Sequence, residues 1–308
     1  MKVVRGVENI KEPLKYTVVA IGNFDGVHIG HQSVFRQAAR LAREKNGTAV
    51  ALTFHPHPIK LLDPERSPRF LTKLSSKTEK IGECGIDLLA IEPFTWKIAD
   101  LAAEAFIKTI LVGRLKARIV IVGSGFSFGQ GRKGNVKTLE TMGKQLGFSV
   151  EIINPIQSEG IPVSSTRIRA FVKKGDIENA NRLLGRAYSL SGTVIKGQQR
   201  GNKIGFPTAN IETGDLLTPA CGVYACTVRV EGKMLSGVVN VGNSPTFNRN
   251  QLVVEAHIFD FDKQLYGKEI EIGFVRRIRS EKAFPNVDAL TSQIKKDIQT
   301  AKTILAEI

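Results

Sequence analysis

The sequence lacks the features of membrane, disulfide-stabilised and zinc-binding proteins. It has no apolar run near the roughly 20 residues that a membrane-spanning helix needs, and it begins without the long apolar stretch of a signal peptide. The three cysteines, Cys84, Cys221 and Cys226, are odd in number and lack paired metal-ligand spacing, so neither a disulfide framework nor a zinc site is favoured. These absences predict a cytoplasmic protein with reduced cysteines.

Two common nucleotide-binding signatures are also missing. No GxxxxGK[ST] P-loop occurs in the chain. Residues 123–129 follow a predicted strand, as a dinucleotide-binding turn would, but Phe128 stands where the third glycine of GxGxxG belongs. The sequence therefore argues against a P-loop NTPase and against a Rossmann dehydrogenase.

The charge balance is strongly basic, with 44 lysines and arginines against 29 aspartates and glutamates and a net charge of +15. Such a balance attracts anions, either nucleic acid or small phosphorylated substrates. The basic residues are scattered apart from short groups such as Arg276, Arg277 and Arg279, and no recognition-helix, zinc-finger or aromatic RNA-binding signature occurs. Small anionic substrates are favoured, and a nucleic-acid-binding or regulatory protein is the alternative from another class.

At 308 residues the chain is long enough for two domains, since a domain usually has roughly 100–200 residues. In the first half, short apolar runs alternate with helical patterns, which predicts a parallel, doubly wound α/β sheet with helices on both faces. The predicted strands are 16–21, 48–54, 88–91, 118–122 and 149–153, and the predicted helices are 32–45, 100–111 and 138–146.

The second half changes to strands and turns, a pattern that predicts a small antiparallel barrel. A helical bridge over residues 166–184, with a stop and restart at Gly175 and Asp176, precedes it, and a closing helix over 286–308 follows it. The predicted barrel strands are 190–195, 222–230, 235–241, 253–259 and 269–279. We place the domain boundary after residue 185, giving domains 1–185 and 186–308.

The densest chemical signal is GNFDGVHIGH, residues 22–31, between a predicted strand and a predicted helix. The N-terminus of a helix presents unpaired N–H groups and a partial positive charge, which suits phosphate. Gly26 and Gly30 let the backbone approach a ligand closely. His28 and His31 lie three apart, so both imidazoles can face one ligand and donate hydrogen bonds to phosphate oxygens.

This HxGH spacing is the arrangement of nucleotidyltransferases. In adenylyl transfer the attacking phosphate is already anionic, so charge stabilisation at the α-phosphate matters more than a strong base. The alternative interpretation is a pair of histidines that cap a helix. The candidate phosphate contacts of this turn, besides the histidines, are Gly22, Phe24, Gly26 and Gly30.

Two further segments of the first domain carry candidate ligands. Ser164, Ser165 and Thr166 stand at a predicted helix start with Arg169 on the following turn, where hydroxyls cap the helix or bind phosphate. Capping alone would explain one of the hydroxyls. In the segment 54–58, FHPHP, two histidines suggest a metal site, but the interleaved prolines and the lack of a nearby cysteine favour a rigid substrate loop.

In the second half, Thr208 and Asn210 lie two apart in a glycine-containing basic segment, residues 201–210, so an extended chain would present both on one side. Their oxygens suit Mg²⁺ bridged to nucleotide phosphates, although the segment alone could be a plain turn. Gly205 is a candidate phosphate contact. Glu255 interrupts an apolar strand, which indicates either a general base or an outward-facing carboxylate.

Taken together, these segments resemble the bacterial bifunctional riboflavin kinase/FAD synthetase family over nearly the full length of the chain. The resemblance implies a Rossmann-like FMN adenylyltransferase domain followed by a six-stranded riboflavin kinase barrel that uses MgATP, with riboflavin, FMN and FAD as substrates or products. It leaves formation of a homo-oligomer open. The matching segments are GNFDGVHIGH, TFHPHP, VSSTRIR, LLGRAYSLSGTV, GFPTAN, GVYA, VGNSPTF, EAHIFDFD with LYG, and RSEKAF.

The resemblance also implies roles for individual residues. Thr208 and Asn210 would hold Mg²⁺ with the ATP phosphates, and Glu255 would take the proton from the ribityl 5′-hydroxyl of riboflavin. His28 and His31 would hold the second ATP while the FMN phosphate attacks its α-phosphate. The hydroxyls of Ser164, Ser165 and Thr166 and the guanidinium of Arg169 would join them. The implied flavin contacts are Phe54, Pro56, His57 and Phe126 in the first domain and Arg279, Glu281 and Phe284 in the second.

One position departs from the family pattern. Similar enzymes usually carry Asp or Asn before the Phe that follows the strand 118–122, whereas this chain has Gly125. A side-chain contact to a ligand is lost there. The departure motivates a rival within the same family, a protein in which only the kinase half is active.

Overall fold

The structure is a computed structural model that describes residues 1–197, 201, 204–244 and 251–307. Residues 202 and 203 of the basic segment 201–210, and residues 245–247 of VGNSPTF, lie outside the described residues. The chain forms two compact units, Met1–Pro68 with Leu74–Val163, and Arg69–Lys73 with Ser164–Ile308. The contacts thus group residues 164–185 with the second unit, and the domain boundary after residue 185 stays a prediction.

The first unit contains a six-stranded parallel sheet. Its central strands are largely apolar, as expected for a sheet covered on both faces, and the strand Thr17–Ile21 is buried at every position. The strands of the sheet are β1 (Lys2–Arg5), β2 (Thr17–Ile21), β3 (Thr48–His55), β4 (Leu88–Pro93), β5 (Ala117–Gly123) and β8 (Ser149–Ile153). Two short ribbons pair β6 (Ser127–Phe128) with β7 (Gly134–Asn135), and β9 (Gln157–Ser158) with β10 (Ile161–Pro162).

Helices of the first unit cover both faces of the sheet, where two apolar clusters form the core. These helices are α1 (Ile29–Glu44), α2 (Pro58–Leu62), α3 (Leu74–Glu83), α4 (Trp96–Ala99), α5 (Ala103–Phe106), which continues as a π-helix over Ile107–Arg114, and α6 (Val136–Leu146). Short 3₁₀ turns occur at Val7–Asn9 and Gln130–Arg132. The predicted parallel α/β fold is confirmed.

The strand order, β1-β4-β3-β2-β5-β8, has a switch point at β2. From β2 the chain moves through β3 and β4 in one direction and later returns through β5 and β8 in the other. Open α/β sheets bind ligands in the crevice at the carboxyl ends of the strands beside such a switch point. The fold therefore places the segment after β2, which is GNFDGVHIGH, where a ligand is expected.

The second unit begins with two helices, α7 (Ser165–Lys174) and α8 (Ile177–Leu184). Gly175 ends α7 in the left-handed conformation with φ 75°, and the Asp176 side chain caps α8, so the predicted stop and restart is confirmed.

Six antiparallel strands then close into a barrel in the order β11-β12-β15-β14-β13-β16. The barrel strands are β11 (Tyr188–Ile195), β12 (Ala209–Glu212), β13 (Gly222–Val230), β14 (Lys233–Ser244), β15 (Gln251–Ile258) and β16 (Glu269–Arg279). A last helix, α9 (Val287–Ala306), packs on β13, β14 and β16 with Ala301 and Ile304 in a shared apolar cluster. The barrel and its closing helix were both predicted.

The differences from the sequence prediction have local causes. Helix α1 begins at Ile29, three residues before the predicted start at 32, because His28 acts as its N-cap. The predicted helix 100–111 begins at Ala103 and extends to Arg114 through a π-helical stretch. Strands β1 and β12 and helix α3 are among the elements that were not predicted. The buried face of α3 consists of Lys77 and Ile81, so it lacks the apolar periodicity that sequence analysis uses.

We expect the barrel core to tolerate truncation poorly. Leu190 on β11 is fully buried, whereas Leu252 on β15 is 43% exposed. Leu190→Ala should lower the free energy of unfolding of the barrel by about 2–5 kcal/mol, through lost burial and a cavity, and Leu252→Ala by less than about 1 kcal/mol. Amide hydrogen exchange in the barrel strands measures the free energy of unfolding of both variants. Equal losses of stability in the two variants would contradict the assigned core.

Candidate active sites

The HxGH histidines are held by the start of α1. His28 is the N-cap, and its Nδ1 accepts a hydrogen bond from the backbone N–H of His31 at 3.2 Å. The two rings are stacked, with centroids 3.5 Å apart and an interplanar angle of 18°. Because Nδ1 is the acceptor, neutral His28 carries its proton on Nε2 and can donate it to a ligand. The capping interpretation is therefore correct for His28 and is compatible with a phosphate contact.

The backbone of the same turn is unusual. Phe24, Gly26 and Val27 all have positive φ, at 51°, 86° and 41°. Such conformations are costly for residues other than glycine and are concentrated at functional sites. A Cβ on Gly22 would lie 2.8 Å from the Phe24 ring, so glycine is required there too. The turn is thus a rigid element whose backbone can approach a ligand.

Phe24 has a structural side chain. Its ring is 4% exposed and packs 4.5 Å from the Phe35 ring and 5.3 Å from the His31 ring, measured between centroids. A contact between Phe24 and a nucleotide would therefore involve its backbone. The ring instead fixes the position of His31.

Two buried donors hold the turn at the Asn23 carbonyl oxygen. Lys77 Nζ donates to it at 2.8 Å and Thr53 Oγ1 at 3.3 Å. Asp25, two residues further along the turn, is 3% exposed. Burial lowers the pKa of Lys77, and the Asp25 carboxylate opposes that shift. Sequence analysis missed Lys77 because α3 itself was not predicted.

The implied flavin contacts of the first unit lie at or just after the carboxyl ends of β3 and β5. Phe54 has ring neighbours Phe94 at 5.7 Å and Phe106 at 6.3 Å, while Phe126 stacks on Phe128 with centroids 5.4 Å apart. Both predicted aromatics are half-buried. They belong to an apolar surface near the carboxyl ends of parallel strands, where a planar ring could stack.

The FHPHP segment is a short loop with a cis peptide bond between His55 and Pro56. His57 caps α2, its Nδ1 accepting from the N–H of Ile59 at 3.3 Å, and Pro56 is exposed. Among the described residues, no group of three or more His, Cys, Asp or Glu side chains could hold a metal ion. The role of this segment in binding a substrate stays a prediction.

The hydroxyl-rich segment forms the start of α7. Ser164 is the N-cap, with Oγ accepting from the N–H of Arg167 at 3.2 Å, and Ser165 and Thr166 occupy the first helical positions. Arg169 Nε donates to the Arg69 carbonyl at 3.1 Å. Capping explains Ser164, as the alternative anticipated, and the phosphate role of these four residues stays a prediction.

The barrel unit contains a cavity of about 1380 Å³. It brings together six of the predicted residues, which come from different strands and loops. Gly205 does not line it; with φ +83° this glycine instead permits the turn before Phe206. The predicted residues that line the cavity are Thr208, Asn210, Glu255, Arg279, Glu281 and Phe284.

Glu255 occupies the middle of a polar row across three strands. Along β15, Val254 and Ala256 are buried while Glu255 is half-buried on the opposite face, so its carboxylate faces the cavity and not the barrel core. The strand register pairs Glu255 with Asn210 of β12 on one side and with Asn240 of β14 on the other. Asn240 also lines the cavity, and its place beside Glu255 is revealed by the register of β14 against β15.

The loops near Thr208 and Asn210 approach so closely that glycine is needed. A Cβ on Gly197 would lie 2.1 Å from the Asn210 amide nitrogen, and one on Gly201 would lie 2.3 Å from the Phe206 carbonyl oxygen. His257 adds a bond at 2.8 Å from Nδ1 to the Pro207 carbonyl. The Thr and Asn oxygen donors are therefore held by a closely packed backbone.

Helix α9 fixes the Arg279 side of the cavity. Asp297, with a side chain 5% exposed, accepts from Arg279 Nε at 3.0 and 3.1 Å and from Nη2 at 2.8 Å. Gln293 Nε2 donates to the same carboxylate at 2.8 Å. The Arg279 guanidinium lies 5.6 Å from the centroid of the Phe284 ring. The ion pair with Asp297 and the contact with the Phe284 ring together fix the orientation of this guanidinium.

Comparisons with known proteins agree with this two-unit organisation. The FAD synthetase family model matches residues 10–167, and the riboflavin kinase family model matches residues 184–305. The bifunctional riboflavin kinase/FMN adenylyltransferase of Haemophilus influenzae is 37% identical, covering 98% of this chain and 98% of that protein. The Escherichia coli K12 protein of the same name is 35% identical, covering 98% and 97%.

A solved structure is also similar over the whole chain. It is the crystal structure of a Streptococcus pneumoniae protein described as a macrolide-efflux protein, with a TM-score of 0.88, 30% identity and coverage of 98% of this chain and 99% of that one. In the part of this chain that the structure describes, no helix is long and apolar enough to cross a membrane.

We expect the Asp297 carboxylate to be essential for the stability of the cavity wall. Asp297→Asn should lower the free energy of unfolding by about 3 kcal/mol, since it leaves the Arg279 charge without its buried partner. The control is Asp288→Asn, an exposed carboxylate in the first turn of the same helix, which should cost less than about 1 kcal/mol. Calorimetric unfolding measures the free energy of both variants. An Asp297→Asn variant as stable as wild type would contradict this role of the carboxylate.

Proposed function

The chain belongs to the bifunctional riboflavin kinase/FMN adenylyltransferase family, and we propose how its residues divide the synthesis of FAD from riboflavin. ATP phosphorylates riboflavin to FMN in the barrel cavity, and a second ATP adenylylates FMN at the turn after β2. The observation that carries this assignment is the Asn210–Glu255–Asn240 row, which presents a carboxylate to the cavity beside the Thr208 hydroxyl.

In the kinase reaction, Glu255 accepts the proton of the ribityl 5′-hydroxyl as that oxygen bonds to the γ-phosphorus of ATP. The bond from the γ-phosphorus to the bridging oxygen breaks, and ADP leaves. Asn210 and Asn240, paired on either side of Glu255, orient its carboxylate. Directly opposite strand residues are about 5 Å apart at Cβ, which is within reach of such contacts.

The oxygen donors of Thr208 and Asn210 fit Mg²⁺, because this ion prefers hard oxygen ligands and is usually shared with nucleotide phosphates. When bound with ATP it would neutralise charge on the phosphates. The glycines at 197 and 201 support this role, since their lack of a side chain allows the loops to close around these two donors.

In the adenylyl transfer, an oxygen of the FMN phosphate bonds to the α-phosphorus of ATP, and pyrophosphate leaves as the bond to the β-phosphate bridge breaks. No general base is needed, since the attacking phosphate is already anionic. His28, through Nε2–H, and His31 stabilise the developing charge together with the N-terminus of α1.

Aromatic groups would contact the flavin in both units, with charged groups added in the second. Phe54 and Phe126, with the loop at Pro56 and His57, would contact the ring of FMN in the first unit. Arg279, Glu281 and Phe284 would contact riboflavin at the cavity wall. Small molecules are thus the substrates, while a cytoplasmic location, a lack of nucleic-acid binding and any homo-oligomer stay predictions.

Two substitutions should separate the reactions. Glu255→Gln should reduce FMN formation by about 10²-fold or more through loss of the proton acceptor, while sparing conversion of FMN to FAD. His28→Ala should reduce the conversion of FMN to FAD while sparing FMN formation. Chromatographic product analysis from riboflavin and from FMN, each with MgATP, measures both. Glu231→Gln, an exposed carboxylate in the β13–β14 turn, is the control. Equal loss of both reactions in either variant would contradict the two-site assignment.

Gly125 tests the kinase-only rival. A Cβ at this exposed glycine would meet no atom within 4 Å, so Gly125→Asn fits the backbone. If the family's side chain contacts a ligand here, the variant should lower the KM of adenylylation about three- to tenfold, a gain of about one hydrogen bond. Gly123→Asn, at an equally open position, should leave this KM unchanged. Wild-type protein that makes no FAD from FMN would support the rival instead.

A further inference from the structure

Lys77 is a buried charged residue that the proposed mechanism does not use. It is 7% exposed, and it shares the inward face of α3 with Ile81, one helical turn later. Burying an ammonium group is strongly unfavourable unless it is paired and hydrogen-bonded. An apolar side chain would suit this position better if packing were the sole requirement.

The hydrogen bond of Lys77 is directed to the nucleotide-binding turn. Its Nζ donates to the carbonyl oxygen of Asn23 at 2.8 Å, and the fully buried Thr53 hydroxyl donates to the same oxygen at 3.3 Å. Asn23 directly precedes Phe24, the first of the positive-φ residues. The carbonyl is thus held from two sides at the point where the strained backbone begins.

The charge of Lys77 also acts on its surroundings. The Asp25 carboxylate, 3% exposed and on the same turn, stabilises the ammonium. The pKa of His55 is lowered by burial first and then by the positive charges of Lys77, Arg5 and Lys60. Lys77 is therefore electrostatically coupled both to the turn and to the FHPHP loop.

We propose that Lys77 is a positioning residue for adenylyl transfer, whose ammonium holds the Asn23 carbonyl and so keeps the Gly22–Val27 turn in the form that aligns His28 and His31 with the nucleotide phosphates. The inference rests on the proposed function of that turn. Through Phe24, which packs against His31, a shift of the turn would move one of the two phosphate donors. Lys77 acts through the backbone and not on the substrate itself.

The first test compares Lys77→Met with Lys80→Met in full-length protein. Met keeps the length of the side chain but removes the charge, and Lys80 lies on the same helix with its ammonium bound to Glu83. Lys77→Met should lower kcat for FAD formation from FMN about ten- to hundredfold, as expected for loss of a charge-assisted hydrogen bond, with KM for ATP changed less than threefold. Lys80→Met should match wild type.

Riboflavin kinase activity of the same molecules provides an internal reference, because its residues lie in the other unit. A residue that served stability alone would lower the melting temperature and leave kcat per folded molecule unchanged. Lys77→Met with wild-type kcat for adenylylation, in a wild-type enzyme that makes FAD, would overturn the inference. Wild-type protein without FAD formation would instead overturn the proposed function.

A second variant keeps the test valid if Lys77→Met folds poorly. Thr53→Val, which is nearly isosteric, removes the second donor to Asn23 and should lower the same kcat by a smaller factor. An unchanged kcat in Thr53→Val would count against the inference.

Discussion

The hydrogen bond from the N–H of His31 to Nδ1 of His28 serves both the fold and the proposed chemistry of the first unit. It begins α1, and it determines which nitrogen of His28 carries the proton in the neutral ring. It also places the two imidazoles in a stack at the switch point of a parallel sheet. The same bond that satisfies a helix end therefore prepares the donor that a phosphate needs. The strained turn before it is held at Asn23 by Thr53 and Lys77.

The barrel positions its candidate site residues in another way, through strand pairing and alternation. Closing six antiparallel strands leaves no free edge, and alternation along each strand separates an apolar interior from an outer face. On β15 that alternation presents Glu255 to the cavity between Asn210 and Asn240. Helix α9 completes the wall, since Asp297 holds Arg279 beside Phe284. The barrel unit thus presents its candidate base, Glu255, on the face of a sheet, whereas the first unit presents His28 and His31 at the start of a helix.

Sequence reasoning reached the features that depend on local pattern. The HxGH spacing, the helix break at Gly175 and five of the six barrel strands were predicted, because each is encoded within a few consecutive residues. Asn240 and Asp297 were not, because the register of β14 against β15 and the docking of α9 on β16 depend on contacts between separate elements, which no local pattern encodes. Lys77 escaped prediction for a different reason: a lysine on the buried face weakens the periodicity by which a helix is recognised.

The central claim, that the chain transfers two different phosphorus groups in sequence, can be tested by following the label from ATP. Riboflavin is incubated with enzyme and ATP carrying ³²P at either the γ- or the α-position, and FAD is isolated. The account predicts that FAD made from riboflavin contains equal label from the two positions, and that FAD made from unlabelled FMN contains label from the α-position alone. FAD from riboflavin without γ-label, or FAD from FMN without α-label, would contradict it.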